Sequence, residues 1–280
     1  MEDYAIELEH VGCKVGHHYL LKNIDWKVKT GEHWLVFGMN GSGKTTLLSI
    51  IAGFKYFNEG RIKVFGQSFD NENTLSIRKK IGLVSASFFD TYYHHESALN
   101  IVLSGLTGTL GIDNTINLQN VAFAKELLTE FKLGERVNYP FHMFSKGERQ
   151  NILIARALIA NPEILILDEP CTGLDVYNRS YLFSTIEELS KNRMLTIIYV
   201  THYVEEIVPL FDKALLLKKG QIYACGKTVE LFQQENMKRF MGYSDLLLEE
   251  HNGQYHMSVE TASEMLQLLE KAVCDNDRVG

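Results

Sequence analysis

Eight residues constrain this chain more than any others. Gly38-Met39-Asn40-Gly41-Ser42-Gly43-Lys44-Thr45 follow directly on the apolar run Leu35-Val36-Phe37. They lead into a short helical pattern, Thr46 to Ala52, which Gly53 stops. A strand that breaks into glycines and restarts as a helix lets the backbone curl until several N–H groups face one centre, clear of side chains. The positive end of the helix adds to that field. The spacing matches G-x-x-x-x-G-K-[ST], a cradle for the phosphates of a nucleotide. Residues Gly38 through Thr46 would wrap the phosphates, Lys44 would bridge the β- and γ-phosphates, and the Thr45 hydroxyl would ligate Mg²⁺.

Two further apolar runs, Ile164-Leu165-Ile166-Leu167 and Thr196-Ile197-Ile198-Tyr199-Val200, are too short for free-standing helices. Neither alternates polar with apolar residues, which predicts parallel strands covered on both faces. Each gives way at once to polar residues, Asp168-Glu169 and Thr201-His202. Ligands in open α/β sheets sit beyond the carboxyl ends of the strands, so these segments and the phosphate loop should converge on one edge. Asp168 can then hold the hydrated Mg²⁺, and Glu169 can accept a proton from an attacking water.

Around this core, Ala5-Ile6-Glu7-Leu8 and Arg61-Ile62-Lys63-Val64-Phe65 read as antiparallel strands. Residues from about 88 to 160 carry mainly helical patterns, including Val121 to Phe131. Ala214 to Leu217 and Ile222 to Ala224 form a hairpin across the turn 218–221. Phe144-Ser145-Lys146-Gly147-Glu148 opens a helix that runs to Asn161-Pro162. Ser145 and Glu148 have the spacing of a reciprocal cap. Gly147, in the first turn, leaves amides open to an anion. The expected fold is α/β: a P-loop NTPase parallel core with an antiparallel β-subdomain and an inserted helical subdomain. The domain spans 1–241, followed by a C-terminal extension, 242–280, with an amphipathic segment from Ser258 to Val273.

The order of phosphate loop, Ser145-Lys146-Gly147-Glu148-Arg149-Gln150, Leu167-Asp168-Glu169-Pro170, Thr172-Gly173-Leu174-Asp175 and Thr201-His202 resembles the ATP-binding cassette family over residues 5–240. The resemblance implies that Ser145 and Gly147 form the signature that touches the γ-phosphate held by a second copy. It makes Asp175 part of the loop joining the copies, and His202 a switch histidine at the γ-phosphate. Three departures stand out. No glutamine occurs between Gln67 and Gln119, although the family's glutamine loop should fall near Ala86. That leaves Ser85 or Ser87 to supply a hydroxyl, or water to fill the gap. The aromatic residue that stacks on adenine aligns at Val15, with Tyr19 close but out of register, so the base would be held by apolar contact. Lys146 stands where the signature commonly has glycine. The serine-rich Val84-Ser85-Ala86-Ser87 is similar to single-cassette ATPases of the YlmA/ModF type.

Composition narrows the partners. Among 280 residues, 28 Lys+Arg against 35 Asp+Glu give a net charge of −7, which argues against a nucleic-acid-binding surface. The basic runs Arg78-Lys79-Lys80 and Lys218-Lys219 read as solvated faces. Four scattered cysteines form no C-x-x-C pair, which fits a reducing compartment. The start, Met1-Glu2-Asp3-Tyr4, lacks the form of a signal peptide, and no apolar run reaches the ~18–20 residues of a membrane span.

The expectation is therefore an ATPase using ATP and Mg²⁺, with Lys44, Glu169 and His202 catalytic. Two copies would meet head to tail around two ATP, reaching the cytoplasmic face of a membrane through separate transmembrane subunits. Two alternatives stay open: a soluble ATP-driven machine or regulator acting on a protein or nucleic acid, and a module that binds ATP without hydrolysing it.

Overall fold

A computed structural model describes residues 3–69, 72–113, 115–192, 194–251 and 253–259. In chain order, β1 (Tyr4–Val15), β2 (His18–Lys29) and β3 (His33–Phe37) precede α1 (Lys44–Ile51). Next come β4 (Glu59–Val64), β5 (Gln67–Ser68), α2 (Thr74–Lys79) and β6 (Ile81–Ser85). Four helices follow: α3 (Ala86–Tyr93), α4 (Ala98–Thr107), α5 (Leu118–Glu130) and α6 (Lys146–Leu158). The chain then returns to the core through β7 (Ile164–Asp168), α7 (Val176–Asn192) and β8 (Thr196–Thr201). It ends with β9 (Lys213–Lys218), β10 (Gln221–Lys227), α8 (Thr228–Leu231), α9 (Gln234–Met241), β11 (Leu246–His251) and β12 (Gln254–Val259).

The central sheet has the order β10-β9-β3-β8-β7-β6, with β9, β3, β8, β7 and β6 mutually parallel and β10 antiparallel at one edge. Every residue of β6, β7 and β8 is buried, as continuous apolar runs covered on both faces require. A second sheet, β2-β1-β4-β5, is wholly antiparallel. In β2, Ile24, Trp26 and Val28 are buried while Asp25, Lys27 and Lys29 are exposed, the period-two pattern of a sheet with one wet face. One continuous hydrophobic core joins the two sheets to the helices between β6 and β7.

The hairpin anticipated at residues 214–224 is β9–β10, and α6 starts where its sequence cap placed it. Ser145 N–H donates to Glu148 Oε2 at 2.8 Å, and Glu148 N–H donates to Ser145 Oγ at 3.3 Å. Two readings change. Residues 246–259 form a hairpin, β11–β12, so Ser258 begins no helix, and the remainder of the amphipathic segment lies outside the described residues. Arg78 is not part of a solvated face: its Nε donates to the Gly53 carbonyl at 3.1 Å and its guanidinium lies 4.5 Å above the Phe54 ring. Among the described residues no helix is long and apolar enough to cross a membrane.

Candidate functional site

Parallel pairing brings the strand ends into one row. Phe37 lies opposite Thr201, Asp168 opposite Val200, and Ser85 opposite Asp168. Backbone bonds cross the same edge, with Gly38 N–H donating to the Thr201 carbonyl at 3.4 Å and Glu169 N–H to the Val200 carbonyl at 2.9 Å. The convergence expected from the three strand ends is thus a consequence of register.

The phosphate loop between β3 and α1 curls through left-handed glycines, Gly41 at φ 77° and Gly43 at φ 106°. A Cβ on Gly43 would lie 2.9 Å from the Leu20 carbonyl oxygen, so close approach to β2 requires glycine there as well. The β9–β10 turn braces the loop, since Gly220 N–H donates to the Ser42 carbonyl at 2.8 Å. Lys44, only 5% exposed, folds back on this loop. Its ammonium donates to the carbonyls of Gly38 (2.7 Å) and Met39 (3.3 Å) and lies 3.3 Å from Glu169 Oε1.

A cavity of about 640 Å³ opens beside the loop. Asn40 to Thr46 line one side and Asp168, Glu169, Ala86 and Ser87 the other. Asp168 Oδ2 accepts from Ser85 Oγ at 2.8 Å and from Thr45 Oγ1 at 3.1 Å, whereas its Oδ1 is buried without a hydrogen-bond partner. Burial pushes the Asp168 carboxyl above its ordinary value; Glu169 adds to that, while the two hydroxyls and Lys44 oppose it. A buried carboxylate with one orphaned oxygen beside a threonine hydroxyl fits a hard, oxygen-seeking cation such as Mg²⁺. Glu169 has φ 49°, a backbone region uncommon outside glycine, which turns it off the line of β7. Its Oε1 pairs with His202 Nδ1 at 2.9 Å. Lys44, Glu169 and His202 therefore form one contact chain.

Ser145, Gly147 and Asp175 do not join this group. They surround a separate hollow of about 330 Å³ together with Lys146, Asn151 and Asn178. Asp175 caps the first turn of α7 through Asn178 N–H at 2.8 Å. Val15 is 59% exposed and does not line the large cavity. Tyr19 and Leu20 do, and the Tyr19 hydroxyl donates to Glu59 at 3.0 Å beneath the Lys14 ammonium. Lys219 and Gly220 also reach this cavity from the β9–β10 turn. Reading Lys218-Lys219 as a solvated run missed that placement; the only sequence signal was the turn itself.

Residues 21–172 match the model of the ABC transporter family. The chain is 40% identical over 237 residues to the uncharacterized ABC transporter ATP-binding protein YlmA of Bacillus subtilis (strain 168), covering 84% of this chain and 90% of that protein. It is 34% identical over 192 residues to the ABC transporter ATP-binding protein ModF of Escherichia coli (strain K12), covering 67% of this chain and 39% of that one. Among solved structures, the dimeric MJ0796, a bacterial ABC transporter cassette, superposes with a TM-score of 0.70 at 28% identity, covering 79% of this chain and 98% of that chain. A phosphate loop facing a paired carboxylate and histidine, on a sheet of this order and with relatives of this kind, leaves one conclusion: the chain belongs to the ABC transporter family and is an ATPase of the ATP-binding cassette type.

Proposed function

We propose that this chain is the ATP-hydrolysing subunit of an ABC-type membrane transporter, working as a head-to-tail dimer with two ATP at the interface. The observation that carries the dimer is the division of the site. The hollow holding Ser145, Gly147 and Asp175 shares no residue with the cavity holding Lys44, Asp168 and Glu169. Each chain then offers two half-sites, and a two-fold pairing completes both at once.

Gly38 through Thr46 bind the phosphates, Lys44 leaves its carbonyl partners to meet them, and Thr45 with Asp168 would hold Mg²⁺. That ion, when bound, supplies positive charge to the phosphate oxygens. Glu169 uses Oε1 for His202 and Lys44, leaving Oε2 to orient the attacking water and take its proton. His202, oriented by Glu169 at Nδ1, would meet the γ-phosphate through Nε2–H, which requires a proton on both ring nitrogens. Ser145 and Gly147 complete the partner's site from the capped start of α6, and Asp175 lies at the junction. The work is positioning and electrostatics, as phosphoryl transfer in general requires.

The replacement of the loop glutamine by the Ser85 and Ser87 region favours a second reading, a cassette ATPase acting on a soluble partner. Co-purification from detergent-solubilised membranes separates the two: recovery of a polypeptide with several apolar spans supports the transporter, and recovery of the chain alone or with soluble protein overturns it. For the dimer, Glu169→Gln should bind ATP without turnover and elute at twice the monomer mass on gel filtration at saturating Mg²⁺-ATP. A variant that binds ATP yet elutes as a monomer removes the composite site.

A further inference from the structure

The segment after α3 and the turn before α6 bring three histidines together on the surface. His94 and His95 follow Tyr93; His142 lies in a single 3-10 turn, Phe141–Met143, just ahead of the Ser145 cap. The rings of His94 and His142 stack at 5.0 Å and 22°, while His95 stands edge-on to both, at 4.7 Å and 5.4 Å. One ligand nitrogen from each lies within 4.8 Å of the other two, and all three side chains are exposed. None lines the nucleotide cavity or the signature hollow.

Two features make this more than a chance encounter. The backbones are pinned together, with His142 N–H donating to the His94 carbonyl at 3.2 Å and Phe141 N–H to the Glu96 carbonyl at 2.8 Å. His142 Nδ1 lies 2.9 Å from the same His94 carbonyl oxygen. A carbonyl only accepts, so Nδ1 must carry the proton, and Nε2 keeps its lone pair for an outside electrophile. That arrangement, one ring nitrogen committed to a carbonyl and the other free, is how metal-ligating histidines are oriented.

We propose that His94, His95 and His142 form a binding site for a divalent transition metal of the zinc class, distinct from the magnesium of the nucleotide site. Zinc–nitrogen bonds of about 2.0–2.1 Å in a tetrahedron place ligand nitrogens about 3.4 Å apart. Closing to that spacing requires rotamer shifts that open the His94–His142 stack, which the exposure of all three rings permits. Three imidazoles without a carboxylate select zinc, copper or nickel over magnesium and calcium, which prefer oxygen. The fourth position faces solvent. Occupancy would fasten the segment that leaves the β6 end, where Ser85 meets Asp168, to the turn that delivers Ser145. The metal would thereby couple the two half-sites of one chain.

The test uses the full chain, freed of metal by chelation and titrated with Zn²⁺ against a chromophoric chelator, without ATP or Mg²⁺. The expected result is one tightly bound zinc per chain. His95→Gln and His142→Gln should each weaken it by at least about tenfold, and His17→Ala/His18→Ala should leave it intact. Co²⁺ should give a visible ligand-field spectrum in the wild type that His95→Gln abolishes. Circular dichroism verifies folding, and His95→Gln, whose ring makes no hydrogen bond to the backbone among the described contacts, remains informative if His142→Gln misfolds. Absence of bound zinc at micromolar free metal overturns the site, as does a stoichiometry and affinity unchanged in His95→Gln. Neither result bears on ATP hydrolysis, so failure here leaves the proposed cycle standing.

Discussion

Asp168 takes two hydroxyl donors on one carboxylate oxygen and none on the other. Ser85 donates one of those bonds from the end of β6, while Ser87, among the described residues, hydrogen-bonds only Ser85 Oγ, at 3.2 Å. The two serines, equivalent in sequence, are therefore unequal in the fold. A hydrogen bond to a ligating carboxylate orients it, and losing such a partner typically costs about 10–100-fold in metal affinity. Under the proposed assignment, Ser85→Ala should raise the Mg²⁺ concentration for half-maximal phosphate release by about tenfold, and Ser87→Ala by much less. A magnesium titration of steady-state turnover checks this, and equal effects would show that neither serine replaces the glutamine through Asp168.

Among the elements, the turn between β2 and β3 shows how a half-buried ion pair ties down the strand that feeds the phosphate loop. Glu32 accepts from Trp34 Nε1 at 2.8 Å, from Lys29 N–H at 3.0 Å, and from the Lys213 ammonium on the neighbouring strand β9. Burial works to raise its pKa, but Lys213, Trp34 and Lys29 together hold it below the ordinary glutamate value of 4.5. A carboxylate with a depressed folded pKa adds stability above its unfolded value and loses it as pH falls through the folded one. Glu32→Gln should thus cost about 1.5–3 kcal/mol at pH 7, the scale of hydrogen bonds to a charged group. The deficit should shrink as pH drops below 4.5. Urea denaturation of both proteins from pH 7 to pH 4 measures it, and a gap independent of pH would assign the loss to packing.

At the scale of the molecule, the two half-sites face different tasks and need not fail together. Lys44→Ala removes the phosphate-loop half and spares the signature; Ser145→Arg blocks the signature and spares the loop. Each variant alone should be inactive. Mixed in equal amounts they should form pairs with one intact composite site, recovering up to about a quarter of wild-type phosphate release if pairing is random and sites act independently. Inactivity of the mixture at every ratio would count against hydrolysis at a shared interface.

Short-range chemistry was readable from the chain itself. The phosphate loop, the Ser145–Glu148 cap and the strand ends at Asp168-Glu169 and Thr201-His202 each act within a few residues, so their spacing already states their geometry. Encounters between distant segments were not. Register along β6 and β7 decides that Ser85 meets Asp168, and irregular pairing between β1 and β2, shifted near Val11 and Cys13, sets Tyr19 rather than Val15 on the cavity wall. His94 and His142 are 48 residues apart and meet only because the chain closes a loop over the helices α4 and α5. Hydrophobic patterning tells a strand which face to bury, but which neighbour it aligns with, and by how many residues, is settled only when the whole sheet packs.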